Sequence, residues 1–270
     1  MNAMYELNNK DPELHISLNG NSKIGRGIAS FSTLPGNENH LLKLKDGTVL
    51  TEVPGTCSKH CEECFDGGCY AVNSARMYHT SVIPAWMENT MLLRSGKLFG
   101  ALDDYLTKIN KKFLKTGKQE DIRLTTFRIN VSGELTSVED FDNWNELAKK
   151  HPEIQFAVYT KNYEDLETFL ETRGETEPNF VINVSQWHGC ADDFLARHAG
   201  KVNVFEYDDT NRKDCTMPEP ERDRVRALIH CPAVLASGKH AKDAQGNPIT
   251  CDKCRRCYRK TGKATAVWAH

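Results

Sequence analysis

The stretch I-Q-F-A-V-Y-T-K-N-Y-E-D-L-E-T-F-L-E-T, Ile154 to Thr172, decides the fold class. Ile154 to Tyr159 reads as a strand and Asn162 to Thr172 as a helix. The same unit recurs on either side. Ile122 to Val131 is rich in β-branched and apolar residues and reads as a strand. A helix follows over Ser137 to Lys150, opened by Thr136 and Glu139 as a capping box. Asn179 to Val184 and Val202 to Tyr207 read as strands, with a helix at Ala191 to Ala199 between them. Glu219 to Arg224 is a short helical stretch, and Val225 to Ile229 a further strand. Alternation at roughly 20–30 residues per unit implies a parallel sheet with right-handed crossovers. These units are too few for a complete eight-stranded barrel. The expected fold is therefore α/β: an open or partial βα barrel.

Outward from this core the signals change. Residues 1–40 are rich in Asn, Ser and Gly. Gly25-Arg26-Gly27 begins like a dinucleotide fingerprint but lacks its third Gly, and reads as a loop. His40 to Val53 holds two apolar stretches around Asp46-Gly47, a hairpin signal. Ala71 to Lys112 reads as long helices with breaks at Gly96 and Gly100, and Leu102, Tyr105, Leu106 and Ile109 form a core-facing stripe. Ala236 to Asn247 is polar, and a cysteine run and a basic tail follow. Three regions result: an N-terminal extension and hairpin over 1–56, the partial barrel over 57–235, and a small C-terminal metal subdomain over 236–270.

The chain has 270 residues, 39% of them hydrophobic, enough for one sizeable core. A formal net charge of −2 argues against a protein built to coat nucleic acid or an anionic membrane. Met1 to Lys10 has no apolar segment of the signal-peptide kind, and no apolar run approaches the ~18 residues of a membrane span. A soluble, cytoplasmic protein with no membrane partner is expected.

In that compartment ten cysteines are not expected to form a disulfide framework. Eight fall in two groups: Cys57, Cys61, Cys64 and Cys69, then Cys231, Cys251, Cys254 and Cys257. Two sets of four suit two thiolate metal sites. The tight C-x2-C-x2-C run of the second group favours an iron–sulfur cluster over zinc, which takes paired knuckles well apart in sequence. In the first group, Cys57-x3-Cys61-x2-Cys64 has the spacing by which radical SAM enzymes hold a [4Fe–4S] cluster with one iron open for S-adenosylmethionine. If Cys69 also ligates, that open iron is lost and the site serves electron transfer or structure. Cys190 and Cys215 read as plain thiols, and His188, His230 and His270 as ordinary histidines. Arg255, Arg256, Arg259, Lys260 and Lys263 around Tyr258 read as a solvated basic face. Contact with a nucleic-acid backbone is the alternative.

In parallel βα architectures function gathers at the carboxyl ends of the strands. Here those ends are polar: Ser132-Gly133-Glu134, Tyr159-Thr160-Lys161, Ser185-Gln186-Trp187-His188, Glu206-Tyr207-Asp208-Asp209 and His230-Cys231. Ser132, Gly133, Glu134, Lys161, Gln186 and Tyr207 are the candidate cofactor-binding residues.

The chain resembles the gene product 88 family of phage and prophage proteins. The likeness rests on Asn21–Ser30, Cys69-Tyr70-Ala71, Asn130-Val131-Ser132-Gly133-Glu134, Tyr159-Thr160-Lys161, and the Thr250-Cys251…Cys254…Cys257 tail. It implies a radical-SAM-like fold and an iron–sulfur cofactor. The wider radical SAM resemblance implies that Cys57, Cys61 and Cys64 carry the cluster. It also puts Ser132-Gly133-Glu134 where those enzymes place a Gly-Gly-Glu turn that receives the amino group of S-adenosylmethionine. Two departures stand out: Ser132 replaces the first Gly, and no aromatic residue precedes Cys64. A small-molecule substrate and a redox donor are the implied partners. A non-catalytic iron–sulfur protein, for electron transfer or partner binding, is the alternative.

Overall fold

The computed structural model describes residues 12–18, 24–25, 27–36, 53–57, 69–78, 80–116, 124–187, 189–215 and 217–268. Six strands form one sheet: β1 Ala29–Ser30, β2 Thr126–Ile129, β3 Gln155–Thr160, β4 Phe180–Gln186, β5 Asn203–Asp208 and β6 Ala264–Trp268. They lie side by side in sequence order, and every neighbouring pair is parallel. The sheet is open. The helices are α1 Tyr70–Met77, α2 Val82–Arg94, α3 Leu98–Thr116, α4 Val138–Lys150, α5 Tyr163–Arg173, α6 Asp192–His198, α7 Glu219–Arg226 and α8 Cys251–Cys254. Among the described residues no helix is long and apolar enough to cross a membrane.

The strand alternation of period two explains how the sheet is used. Phe127 and Ile129, Phe156 and Val158, and Phe180, Ile182 and Val184 point to one face. There they meet Leu98, Leu102 and Leu106 of α3, Phe141 and Trp144 of α4, Leu166 and Phe169 of α5, and Phe194 of α6 in one buried cluster. The α3–α6 helices thus cover a single face. Each buried phenylalanine contributes roughly 1.5–3 kcal/mol of transfer free energy. The opposite, inner face carries Arg128, Tyr159, Asn183, Asn203 and Phe205, and it is here that the polar chemistry collects.

Several sequence expectations are corrected. The strand expected at Val225 to Ile229 is not one: α7 runs through Arg226. Pairs at i,i+3, Glu219–Arg222, Glu221–Arg224 and Asp223–Arg226, favour the helix, and Arg224 forks onto the buried carboxylate of Glu206. The last strand is β6, from within the region read as a terminal subdomain. It pairs with β5 from Val204↔Ala264 to Asp208↔Trp268. At the other edge Ala29–Ser30, read as loop, pairs with Phe127 and Arg128. Both terminal regions therefore supply sheet edges. Gly100 does not break a helix but lies inside α3; the break falls at residues 95–97, where Gly96 has φ +71°. The capping box is shifted by one residue: Ser137 Oγ accepts from Asp140 N at 3.2 Å, and Asp140 accepts from Thr136 N and Oγ1. The expected hairpin at His40 to Val53 lies outside the described residues save Val53, as does the start of the strand at Ile122.

The core stripe stands where expected. Leu102 and Leu106 are fully buried, with Tyr105 and Ile109 packed beside them.

Candidate functional site

The C-terminal cysteine run is folded onto the inner face of the sheet. Thr250 stands at the N-cap of α8, which is one turn long; Arg255 then takes a left-handed conformation (φ 52°) and a 3-10 turn runs over Arg256–Tyr258. Gly25 packs under this hairpin. A Cβ there would lie 2.1 Å from Asp252 Oδ1, and Asp252 N donates to Ile24 O at 3.1 Å. That close approach, together with a φ of +85°, is why a glycine stands there. Tyr258 is buried against Ile24, Ile28, Ala157 and Val181. Two inner-face asparagines clamp the chain from Cys257 to Gly262. Asn183 Nδ2 donates to Cys257 O at 3.0 Å, and Asn203 Nδ2 to Arg259 O at 2.9 Å. Asn203 Oδ1 accepts from Thr261 N and Gly262 N at 2.9 and 3.0 Å. Asn203→Ala is expected to cost about 2–3 kcal/mol, since each buried bond contributes about 1 kcal/mol. It should also speed tryptic cleavage after Lys260 and Lys263. Unchanged cleavage would mean that the hairpin is held elsewhere.

The basic tail is solvated as its composition suggests, with Arg255, Arg259, Lys260 and Lys263 exposed, but three of its cations are also engaged. Arg256 Nε donates to Thr265 Oγ1 at 2.8 Å, Arg255 Nε to Asp252 O at 2.9 Å and Lys260 Nζ to Thr176 O at 2.6 Å. These cations tie the hairpin to its surroundings.

The fold brings four thiols together from separate segments: Cys231, which enters beside β6 with its N–H on Ala266 O at 2.8 Å, and Cys251, Cys254 and Cys257. Every pair among the four interacts electrostatically. Burial pushes the Cys251 thiol up to about 12 and Cys257 to about 11, and raises Cys231. Opposing donors surround them. Backbone N–H groups of Ala233 and Val234 point at the Cys231 sulfur, the Tyr159 hydroxyl donates to Cys257, and the Arg128 guanidinium faces Cys231, Cys251 and Cys257. N–H and O–H donors aimed at sulfur favour thiolate. None of the described cysteines is in a disulfide. Among the described residues no three His, Cys, Asp or Glu side chains stand close enough to hold one metal ion as they are. A tetrahedral zinc needs its sulfurs within roughly 3.8 Å of one another, from a Zn–S distance near 2.3 Å.

Cys61 and Cys64 lie outside the described residues, but both ends of the first cysteine loop are in place. Each is tethered to the turn after β2. At the entry, Thr56 Oγ1 accepts from Glu134 N at 2.8 Å and lies 2.9 Å from Thr33 Oγ1, while Thr33 N donates to Ser132 O at 3.0 Å. Cys57 N donates to Gly36 O. At the exit, Cys69 starts α1, and the hydroxyl of Tyr70 donates to Val131 O. Tyr70 senses Arg128, Cys69, Lys161 and Cys57. Gly133 makes the tether possible: at φ +82° its missing Cβ would lie 2.0 Å from Thr33 Oγ1.

The remaining candidates divide between two roles. Glu134 is buried, and its carboxylate accepts from Leu135 N at 2.9 Å and Lys161 N at 2.8 Å, joining the β2 and β3 ends. Burial raises its carboxyl above the ordinary range. Gln186 lies on the helix-covered side, donating to Asp192 Oδ1 and accepting from Ala191 N at 2.8 Å. These two side chains hold the turns they sit in. Lys161 and Tyr207 do come together: Lys161 Nζ is 5.8 Å from the centre of the Trp187 ring, which stacks on Tyr207 at 3.9 Å. Ser132 Oγ and Asn130 Oδ1 are buried and have no hydrogen-bond partner among the described residues. His188 and His270 lie outside the described residues. His230 is hydrogen-bonded, its Nε2 2.6 Å from Asp208 Oδ2, and stacks on Trp268. Cys215 donates to Asp209 Oδ1 at 3.0 Å. Arg128 has no part in the sequence expectations, and Tyr159 and Asn130 enter them only within motifs. A charged residue inside the apolar strand Thr126–Ile129 was the available signal.

The family model described as gene product 88 matches residues 15–260, most of the chain and every cysteine in it. The chain belongs to the gene product 88 family. No curated protein and no solved structure matches it.

Proposed function

We propose that this gene product 88 family member is an iron–sulfur protein with two cysteine-ligated centres and radical SAM-type chemistry. Cys231, Cys251, Cys254 and Cys257 would hold one centre; Cys57, Cys61 and Cys64, with or without Cys69, would hold the other. The observation that carries the reading is the convergence of the four C-terminal thiols, each within electrostatic reach of the other three and met by N–H, O–H and guanidinium donors. An all-sulfur donor set suits iron–sulfur chemistry. The parallel strand order, with α3–α6 on one face, is also the way a partial barrel of the radical SAM type is built.

Loaded, the first centre would supply one-electron reductive cleavage of S-adenosylmethionine to a 5′-deoxyadenosyl radical. The residues of this chain have simpler tasks. Thr33, Thr56 and Gly133 seat the loop over the β2 end. Glu134 fixes the neighbouring β3 end through the Lys161 amide. Ser132 and Asn130 offer polar atoms to a bound ligand, and Lys161, Trp187 and Tyr207 form a cationic and aromatic shelf for it. A small-molecule substrate and an external redox donor complete the scheme.

A second reading has its own observation. Both Glu134 oxygens are engaged by backbone amides, which suits a structural turn rather than a receiver for an amino group. In a non-catalytic iron–sulfur protein Cys69 would complete a four-thiolate site. Anaerobic reconstitution separates the two. The radical reading expects a brown protein that yields 5′-deoxyadenosine from S-adenosylmethionine after reduction, and a Cys69→Ala variant that keeps its first cluster. Loss of that cluster in Cys69→Ala, with no nucleoside formed by fully loaded wild type, establishes the second reading. A colourless protein rules out both.

A further inference from the structure

The inner face carries a cation with no obvious counter-ion. Arg128 lies within β2, and its Nε is buried with no acceptor among the described residues. Among the described residues no Asp or Glu forms an ion pair with it. A buried charge left unpaired in this way is costly. The groups around the guanidinium are aromatic and sulfur-bearing. It sits over the Tyr159 ring at 4.0 Å, with Tyr258, Tyr70 and Cys251 around it. A guanidinium stays protonated in proteins, so its charge is permanent. Tyr159 links it to the cysteines, since the ring under Arg128 carries the hydroxyl that donates to Cys257. Tyr258 and Cys251 pack in the same cluster as Ala157, the β3 residue paired with Arg128.

We infer that Arg128, shelved on Tyr159, is the charge-balancing residue of the Cys231–Cys251–Cys254–Cys257 set and raises the reduction potential of a centre held there. The inference rests on the reading of that set as metal-binding. Metal-ligating thiolates would supply the negative charge that the guanidinium otherwise lacks. A fixed positive charge, and a donor on a ligand sulfur, stabilise the reduced form more than the oxidised one, because the reduced form carries one more electron. Arg128 touches no reacting atom in this scheme; it acts through the thiolates as a positioning residue.

The test uses the full chain with Cys57, Cys61, Cys64 and Cys69 changed to Ser, so that a single centre titrates. Each protein is reconstituted anaerobically with iron and sulfide, and iron per chain and midpoint potential are measured, with circular dichroism as the folding control. Arg128→Met and Tyr159→Phe should both shift the potential to more negative values, and Arg128→Lys should restore most of the shift. If Arg128→Met does not fold, Tyr159→Phe and Arg128→Lys carry the comparison. Should Arg128→Met lose iron while Arg128→Lys keeps it, the same conclusion follows. A potential unmoved in Arg128→Met and Tyr159→Phe overturns the inference, as does equal iron loss in the Met and Lys variants, which would mark a packing role. A parent protein that takes up no iron overturns the metal-binding reading itself, and that is seen before any change at Arg128.

Discussion

Trp144→Ala is expected to destabilise the protein by about 3–5 kcal/mol, the range for removing a fully buried tryptophan. Trp144 sits on α4 at 1% exposure. Its ring is 5.4 Å from Phe99 on α3, 5.9 Å from Phe31 and Phe127, and 6.2 Å from Phe156. One side chain therefore joins two helices to the β1–β3 half of the sheet. Truncation leaves a cavity lined by four aromatic rings that rigid strands cannot close. Urea unfolding followed by circular dichroism would read the effect as a lower midpoint at a similar slope. A loss below about 1 kcal/mol would mean that the site collapses without cost, contrary to this packing.

Gly133→Ala should have the second large effect, and a more local one. An L-residue in the left-handed region costs roughly 1–2 kcal/mol. The added methyl would also lie 2.0 Å from Thr33 Oγ1 and 2.5 Å from Thr56 Oγ1. Those hydroxyls must move, and their contacts with each other and with Glu134 N go with them. The total is expected near 3 kcal/mol, with buried bonds at about 1 kcal/mol each. Hydrogen exchange should rise at residues 53–57 and 132–135 and not in β4 or β5. On the proposed iron–sulfur reading, reconstituted iron should fall at the first cysteine loop and stay at the C-terminal set. Gly174→Ala is the control. It has the same φ of +82° but nothing within 4 Å of the added atom, so it carries the backbone strain without the clash. Equal effects at the two glycines would leave the tether with no special part.

The fold was legible where the pattern is strong and local. Phe156 and Val158, or Leu102 and Leu106, announce their burial through periods of two and of three to four. The misses have equally physical causes. β6 reads A-T-A-V-W at the end of a basic tail and becomes a strand only because β5 offers it an open edge. β1 is two residues long, too short for any periodicity. Val225 looked like a strand start because apolar residues follow it, yet Pro220 in the first turn and i,i+3 ion pairs favoured a helix that runs to Arg226.

The site divides in the same way. That eight cysteines fall in two groups along the chain is visible in their spacing. Which polar strand ends lie on the same face as the C-terminal cysteines is not, since a strand residue and its neighbour point to opposite faces. Gln186 and Tyr207 looked alike as strand-end residues, but Gln186 turns to the helices and Tyr207 to the Trp187 shelf.

By itself the sequence determined the parallel βα alternation and the buried stripe of α3, since each depends on residues near one another in the chain. Only the tertiary structure decided that the C-terminal hairpin lies on the inner face, that Thr33 and Thr56 seat the first loop over Gly133, and that Arg128 and Tyr159 face the thiols. Those contacts join segments a hundred or more residues apart, as Arg128 and Cys251 do, or depend on a side chain's face of the sheet. They come into being when the strands pair and the register chooses which side chains point inward.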